Sequence, residues 1–262
     1  MGTISVHKLL REGRASFLCY DHGLEHGPKD FTLDTCDPEH ALNIALEGRW
    51  TGVVMHAGVA EKYYRSYFKQ VPLIVMLNAR TALPEMEQDA KLVCSVERAI
   101  KLGATAVAYT IYDGSRFEED MLQEFGSVVE TAHDYGMPVV AFMVPRGKFA
   151  QHKLGVDLSA YSARIALELG ADFCVLHFDG DFEALKWVVA NAGKCKLLVS
   201  DFDGCQIPNC LEKVSASLLA GAKGIAWGHT IWHHKKPFSV SRALERMLYH
   251  DETVEEALKA MK

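Results

Sequence analysis

Eight short apolar, β-rich runs alternate with segments of helical spacing along the whole chain, and this alternation restricts the fold more than any other feature. The runs are Ser16–Tyr20, Gly52–Met55, Leu73–Leu77, Ala106–Tyr109, Pro138–Phe142, Phe173–Leu176, Lys196–Val199 and Gly224–Ala226. Between them, apolar residues recur at helical intervals in Ala41–Leu46, Val93–Leu102, Glu118–Tyr135, Tyr161–Leu169, Phe182–Ala192 and Leu211–Leu219. Phe238–Tyr249 reads as an eighth helix and Thr253–Lys262 as a terminal one. Continuous apolar strands imply a sheet covered on both faces, and eight successive β-α units are what a closed parallel (β/α)8 TIM barrel needs. The 262 residues, 49% hydrophobic and 24% charged, suit one such α/β barrel spanning the chain as a single domain. A doubly wound open sheet is the alternative. The absence of a glycine-rich phosphate turn after the first strand weighs against its dinucleotide-binding version, so no nucleotide cofactor is expected.

A weak repeat accompanies the pattern: Gly48, Gly103, Gly170 and Gly221 each close a helix before the next strand. Positive φ after a helix C-cap explains them and gives them no chemistry. The formal charge of −6, with no basic run, speaks against nucleic acid or an anionic membrane as partner and for a small molecule. Residues Met1–Leu10 contain no signal-length apolar stretch, and no segment nears the roughly 20 apolar residues of a membrane span, so a cytoplasmic location is expected. Seven cysteines, several within apolar runs, read as reduced thiols without a disulfide framework.

In a parallel barrel the side chains just past the strand C-termini converge on one mouth. The first strand runs into Asp21-His22-Gly23-Leu24-Glu25-His26-Gly27-Pro28, and the second ends at His56. The third delivers Asn78 and Arg80, the fourth Tyr109, Thr110 and Tyr112, and the fifth Pro145-Arg146-Gly147-Lys148. His177 and Asp179 follow the sixth, Ser200, Asp201 and Asp203 the seventh, and Gly228 and His229 the eighth. Asp21, after an apolar strand and before two His-Gly pairs, is the best acid–base candidate.

From Asp21 to Pro28 the sequence resembles the archaeal-type class I fructose-bisphosphate aldolases, with the related dehydroquinate-pathway and autoinducer-processing aldolases. The resemblance continues through Gly58-Val59-Ala60-Glu61-Lys62-Tyr63-Tyr64, Cys94-Ser95-Val96-Glu97, Tyr109-Thr110-Ile111-Tyr112, Pro145-Arg146-Gly147, Ala163 to Asp172, and Gly180-Asp181. It implies a barrel lyase that makes or breaks a carbon–carbon bond beside a carbonyl in a small, sugar-derived compound. It also implies acid–base work for Asp21; His22 and His177, from the strand-end residues themselves, are the other catalytic candidates. The departures are as informative. Val175 stands at the family's Schiff-base lysine, His177 at a second lysine, and Val144 at a proton-transferring tyrosine. Asp201-Phe202-Asp203 replaces a phosphate-holding glycine loop, and Gly228-His229 replaces Gly-Arg.

Imine chemistry needs a primary amine in the mouth. Lys148 is the nearest candidate, whereas Lys62, Lys186 and Lys223 fall in helices or at their ends. The other way to stabilise an enolate is a divalent metal, zinc or manganese, and His56, His177, Asp179, Asp201, Asp203 and His229 are of ligand type. His26, Arg80, Arg146, Lys148, Ser200 and Gly228 are the expected substrate contacts. Two other readings remain open: a metal-assisted hydrolase or isomerase in the same mouth, and an inactive binding subunit. A homo-oligomer is expected, with Tyr63, Tyr64, Tyr67 and Trp232 assignable to core or interface.

Overall fold

The computed structural model describes residues 3–83, 88–147, 150, 156–177, 182–200, 205–259 and 261. Eight parallel strands close into a barrel: β1 (Ala15–Cys19), β2 (Gly52–His56), β3 (Leu73–Met76), β4 (Ala106–Ile111), β5 (Val139–Met143), β6 (Phe173–His177), β7 (Lys196–Ser200) and β8 (Gly224–Trp227). Each pairs with its neighbours in sequence, and β8 pairs with β1 through Ala15↔Gly224 to Leu18↔Trp227. The helices are α1 (Pro38–Glu47), α2 (Ala57–Tyr63), α3 (Val96–Lys101), α4 (Glu118–Asp134), α5 (Val156–Glu168), α6 (Phe182–Ala192), α7 (Ile207–Leu219) and α8 (Pro237–His250), with Val254–Lys259 after them. Among the described residues no helix is long and apolar enough to cross a membrane.

Because strand side chains alternate, every second residue faces the barrel axis. Phe17 and Cys19, Val54, Ile74 and Met76, Ala106 and Ala108, Val140, Phe173 and Val175, Leu198 and Ala226 form this inner layer. The rings of Phe17 and Phe173 meet edge to face at 5.3 Å. Leu9, from the 3-10 turn Val6–Leu9, closes the floor. The outward residues, such as Val53, Val75, Val107 and Leu197, join the larger core beneath the helices.

Several expectations change in detail. The third helix begins at Val96 instead of Val93, because Ser95 caps it by accepting from the Arg98 N–H at 3.2 Å. Gly103, Gly170 and Gly221 do take positive φ, but Gly48 has φ −78°. Packing demands that glycine: a Cβ there would lie 2.6 Å from the Ser241 Cβ and 2.8 Å from the Trp50 indole nitrogen. Cys205 and Cys210 form a disulfide at the start of α7, correcting the reading of all seven cysteines as free thiols. They lie five residues apart, with Cα atoms 6.0 Å from each other, within bridging reach. Tyr64, Tyr67 and Trp232 are buried within the chain itself, so they belong to its core.

Candidate active site

A cavity of about 660 Å³ opens at the C-terminal ends of the strands. The inward parity of the core continues into its wall. On β6, Phe173 and Val175 point to the axis, and His177 follows at the rim. On β7, Leu198 is succeeded by Ser200, and on β8, Ala226 by Gly228. Val175 is paired in register with Phe142 on β5 and Leu198 on β7, so its isopropyl group forms part of the wall one layer below His177. Among the described residues no lysine lines the cavity.

The segment after β1 folds into a short helix, His22–His26, with Asp21 at its N-cap. The Asp21 carboxylate makes no capping bond; one oxygen lies 3.6 Å from the His22 Nδ1, which is buried without a hydrogen bond. The His22 ring stands between Trp232 at 5.9 Å and His26 at 5.5 Å, edge to face with both. Gly228 makes room for it: a Cβ there would lie 2.6 Å from the His22 Cε1 and 2.5 Å from the Cys19 carbonyl. Trp232 is locked beneath by donating its indole N–H to the same carbonyl at 3.0 Å. His26 shares a 2.5 Å hydrogen bond with Asp30. Asp21, His22, His26, Arg146, His177, Ser200, Gly228 and His229 thus all border one cavity, as the strand-end reading anticipates.

Other expected members lie elsewhere. Tyr109 points outward and donates to Glu124 at 2.7 Å, because β4 runs on to Ile111 and puts Thr110 on the inward face instead. Asn78 spends its amide on the backbone of Thr110, with both bonds 2.8 Å long. Arg80 sits behind the cavity wall, near Glu25 and Tyr112. Lys148, Asp179, Asp201 and Asp203 lie outside the described residues.

The metal expectation is not upheld by the ligands that are described. Among the described residues no three His, Cys, Asp or Glu side chains are grouped closely enough to hold an ion. His56 is outside the cavity wall. Burial lowers its pKa, while the charge of Asp21 and the nearby carbonyls of Met76 and Asp21 oppose that fall. His229 packs instead on His233, centroids 4.4 Å apart, and on Trp232.

Glu25 is the wall residue that the strand-end reading passed over. It accepts from the Tyr112 hydroxyl at 2.7 Å and faces Arg146 and Arg80. Its signal was present: a carboxylate between two histidines in the first turn beyond a barrel strand.

The model of the DeoC/LacD family of aldolases matches residues 15–234. The chain is 40% identical over 251 residues to the class 1 fructose-bisphosphate aldolase of Thermoproteus tenax, covering 95% of this chain and 94% of that one. It is 37% identical over 250 residues to the enzyme of the same name from Halobacterium salinarum, covering 95% of each. A solved archaeal fructose-1,6-bisphosphate aldolase, with its catalytic lysine bound to the carbinolamine intermediate, superposes with a TM-score of 0.87 at 39% identity. The match covers 93% of this chain and 97% of that one.

Proposed function

Because this chain belongs to the DeoC/LacD family of aldolases, we propose that it makes and breaks a carbon–carbon bond next to the carbonyl of a small sugar phosphate held in the cavity, and that it does so without an imine on β6. The pairing of Asp21 with His22 at the mouth, beside a β6 wall made of Val175 and His177, carries the reading. An alkyl side chain cannot form a Schiff base with a carbonyl. In this reading the described wall residues supply acid–base and electrophilic chemistry.

In the cleavage direction Asp21 takes the proton from the hydroxyl next to the scissile bond. The bond's electron pair moves toward the substrate carbonyl, leaving an aldehyde and an enediolate. His177, two residues beyond Val175 on the same face, donates a hydrogen bond to the carbonyl oxygen where negative charge develops. Asp21 then returns its proton to the carbon of the enediolate, which restores the carboxylate and closes the cycle. His22, 3.6 Å from Asp21, faces the carboxylate, and Gly228 leaves room for that ring. His26, Ser200 and Arg146 complete the substrate contacts.

Fructose 1,6-bisphosphate is the first compound to test, with other ketose phosphates beside it. Cleavage is read by aldehyde release, and imine formation by borohydride reduction followed by intact-protein mass. The expected result is cleavage by the wild type, loss of at least about a hundredfold in Asp21→Asn, and no adduct. An adduct on any lysine overturns the imine-free route. No cleavage of any ketose phosphate overturns the aldolase reading.

A further inference from the structure

The Glu25 carboxylate has three partners, of which only Arg146 enters the proposed reaction, as a substrate contact. One of its oxygens accepts from Tyr112 at 2.7 Å, while the other faces the Arg146 guanidinium at 3.6 Å and that of Arg80 at 4.0 Å. The arginine distances are ion-pair contacts, longer than a hydrogen bond. The cluster is graded by depth. Tyr112 is 1% exposed, the Arg80 side chain 12%, Glu25 29% and Arg146 54%. Arg80 is held further by the Tyr112 ring, whose centre is 5.8 Å from its guanidinium carbon. Tyr112 and Arg80 therefore fix Glu25 from behind, while Arg146 reaches over the cavity from the outer edge.

Among the described residues of this cluster, two guanidinium groups face one carboxylate, an excess of one positive charge. A guanidinium presents a planar fork of N–H donors that fits the oxygens of a phosphate or carboxylate. We infer that Glu25 is an internal stand-in for the anionic end of the substrate: it pairs with the two arginines, and an incoming phosphate group takes Arg146 from it. The inference rests on the reading that the cavity holds a sugar phosphate, and it names the residue that sets the preference for that phosphate. A phosphate monoester carries close to two negative charges near neutral pH and outcompetes a single carboxylate, whereas a substrate carboxylate meets Glu25 on equal terms. Glu25 is thereby a specificity-determining residue that favours phosphorylated over carboxylated substrates.

The test is titration of the whole protein with inorganic phosphate, followed calorimetrically, in the wild type, Glu25→Gln and Arg146→Gln. Glu25→Gln keeps the acceptor for Tyr112 but releases both guanidinium groups, so phosphate should bind roughly tenfold more tightly. Arg146→Gln should bind it at least about tenfold more weakly. A role for Glu25 in structure alone predicts no tightening. Unchanged or weaker binding by Glu25→Gln, unchanged binding by Arg146→Gln, or no saturable binding by the wild type overturns the inference. Since phosphate binding is read without turnover, the expected pattern in a protein that cleaves no ketose phosphate would sink the aldolase reading and leave this one standing.

Discussion

Asp113, two residues beyond the end of β4, offers a sharp test of burial electrostatics next to the active site. It is 3% exposed; its Oδ2 is hydrogen-bonded to the Ser162 hydroxyl on α5, and its Oδ1 is buried without a hydrogen bond. That hydroxyl also lies 2.9 Å from the Leu158 carbonyl, yet one hydroxyl proton cannot serve two acceptors. A neutral Asp113 resolves the count by donating to the Ser162 oxygen while Ser162 donates to Leu158. Burial pushes the acid from 3.8 up to about 6, against the hydrogen bonds of Ser162 and the Asp113 backbone N–H, with Glu118 adding a smaller upward push. Below both values the group is protonated whether the chain is folded or not, and it has no effect on stability. As pH rises from 3.8 toward 6 the unfolded chain releases a proton that the folded chain retains, so stability falls. A gap of about two units amounts to about 3 kcal/mol once the pH is above 6. Asp113→Asn mimics the neutral acid, with its amide donating to Ser162. In urea unfolding at steps from pH 4 to 8, the variant should match the wild type near pH 4. It should exceed it by about 3 kcal/mol at pH 7.5. All other titrating groups are common to both proteins and cancel in the difference. A difference that does not change with pH, or a variant less stable at pH 7.5, would refute the reasoning.

Gly228→Ala places a methyl group 2.5 Å from the Cys19 carbonyl and 2.6 Å from the His22 ring; ketose-phosphate cleavage should fall at least about tenfold, with a stability loss of about 1–3 kcal/mol in thermal unfolding. Gly224→Ala strikes the seam of the barrel, since φ is +140° and the new Cβ would lie 1.8 Å from the Ala15 carbonyl. Chemical denaturation should register a cost of about 3 kcal/mol or more, and a stable, soluble variant would contradict the close β1–β8 approach. Phe173→Ala empties the inner layer beside Phe17 and should cost about 3–5 kcal/mol. Val175→Lys sets an amine in the wall beneath His177, where burial favours its neutral, nucleophilic form. This variant should become trappable by borohydride with a ketose phosphate, read as a mass increase on Lys-containing peptides at that position; no adduct would mean that substrate carbonyls do not reach the β6 wall.

The barrel was legible because its strands are continuous apolar runs that no other covered sheet of this length accommodates as simply, and each observed strand falls within two residues of the run that announced it. Which side chains face the axis was less legible, since a list of strand-end residues carries no parity. Tyr109 and Thr110 are neighbours in sequence, yet the first turns outward to Glu124 and the second into the cavity, and only the register of β4 with β5 decides between them. Parity also places Val175 and His177, two residues apart on β6, on one wall of the cavity. The short helix His22–His26 escaped the reading because five residues with a glycine among them show no apolar period. With it escaped Glu25, whose importance depends on Arg80 and Arg146 arriving from two other strands. His56 is the opposite case. A histidine at a strand end looks like a ligand, but His56 does not line the cavity, and burial lowers its pKa while the charge of Asp21 opposes that fall. Sequence therefore names the residues that each strand delivers to the mouth, while the catalytic geometry depends on which of them the twist and register of neighbouring strands bring to the same wall.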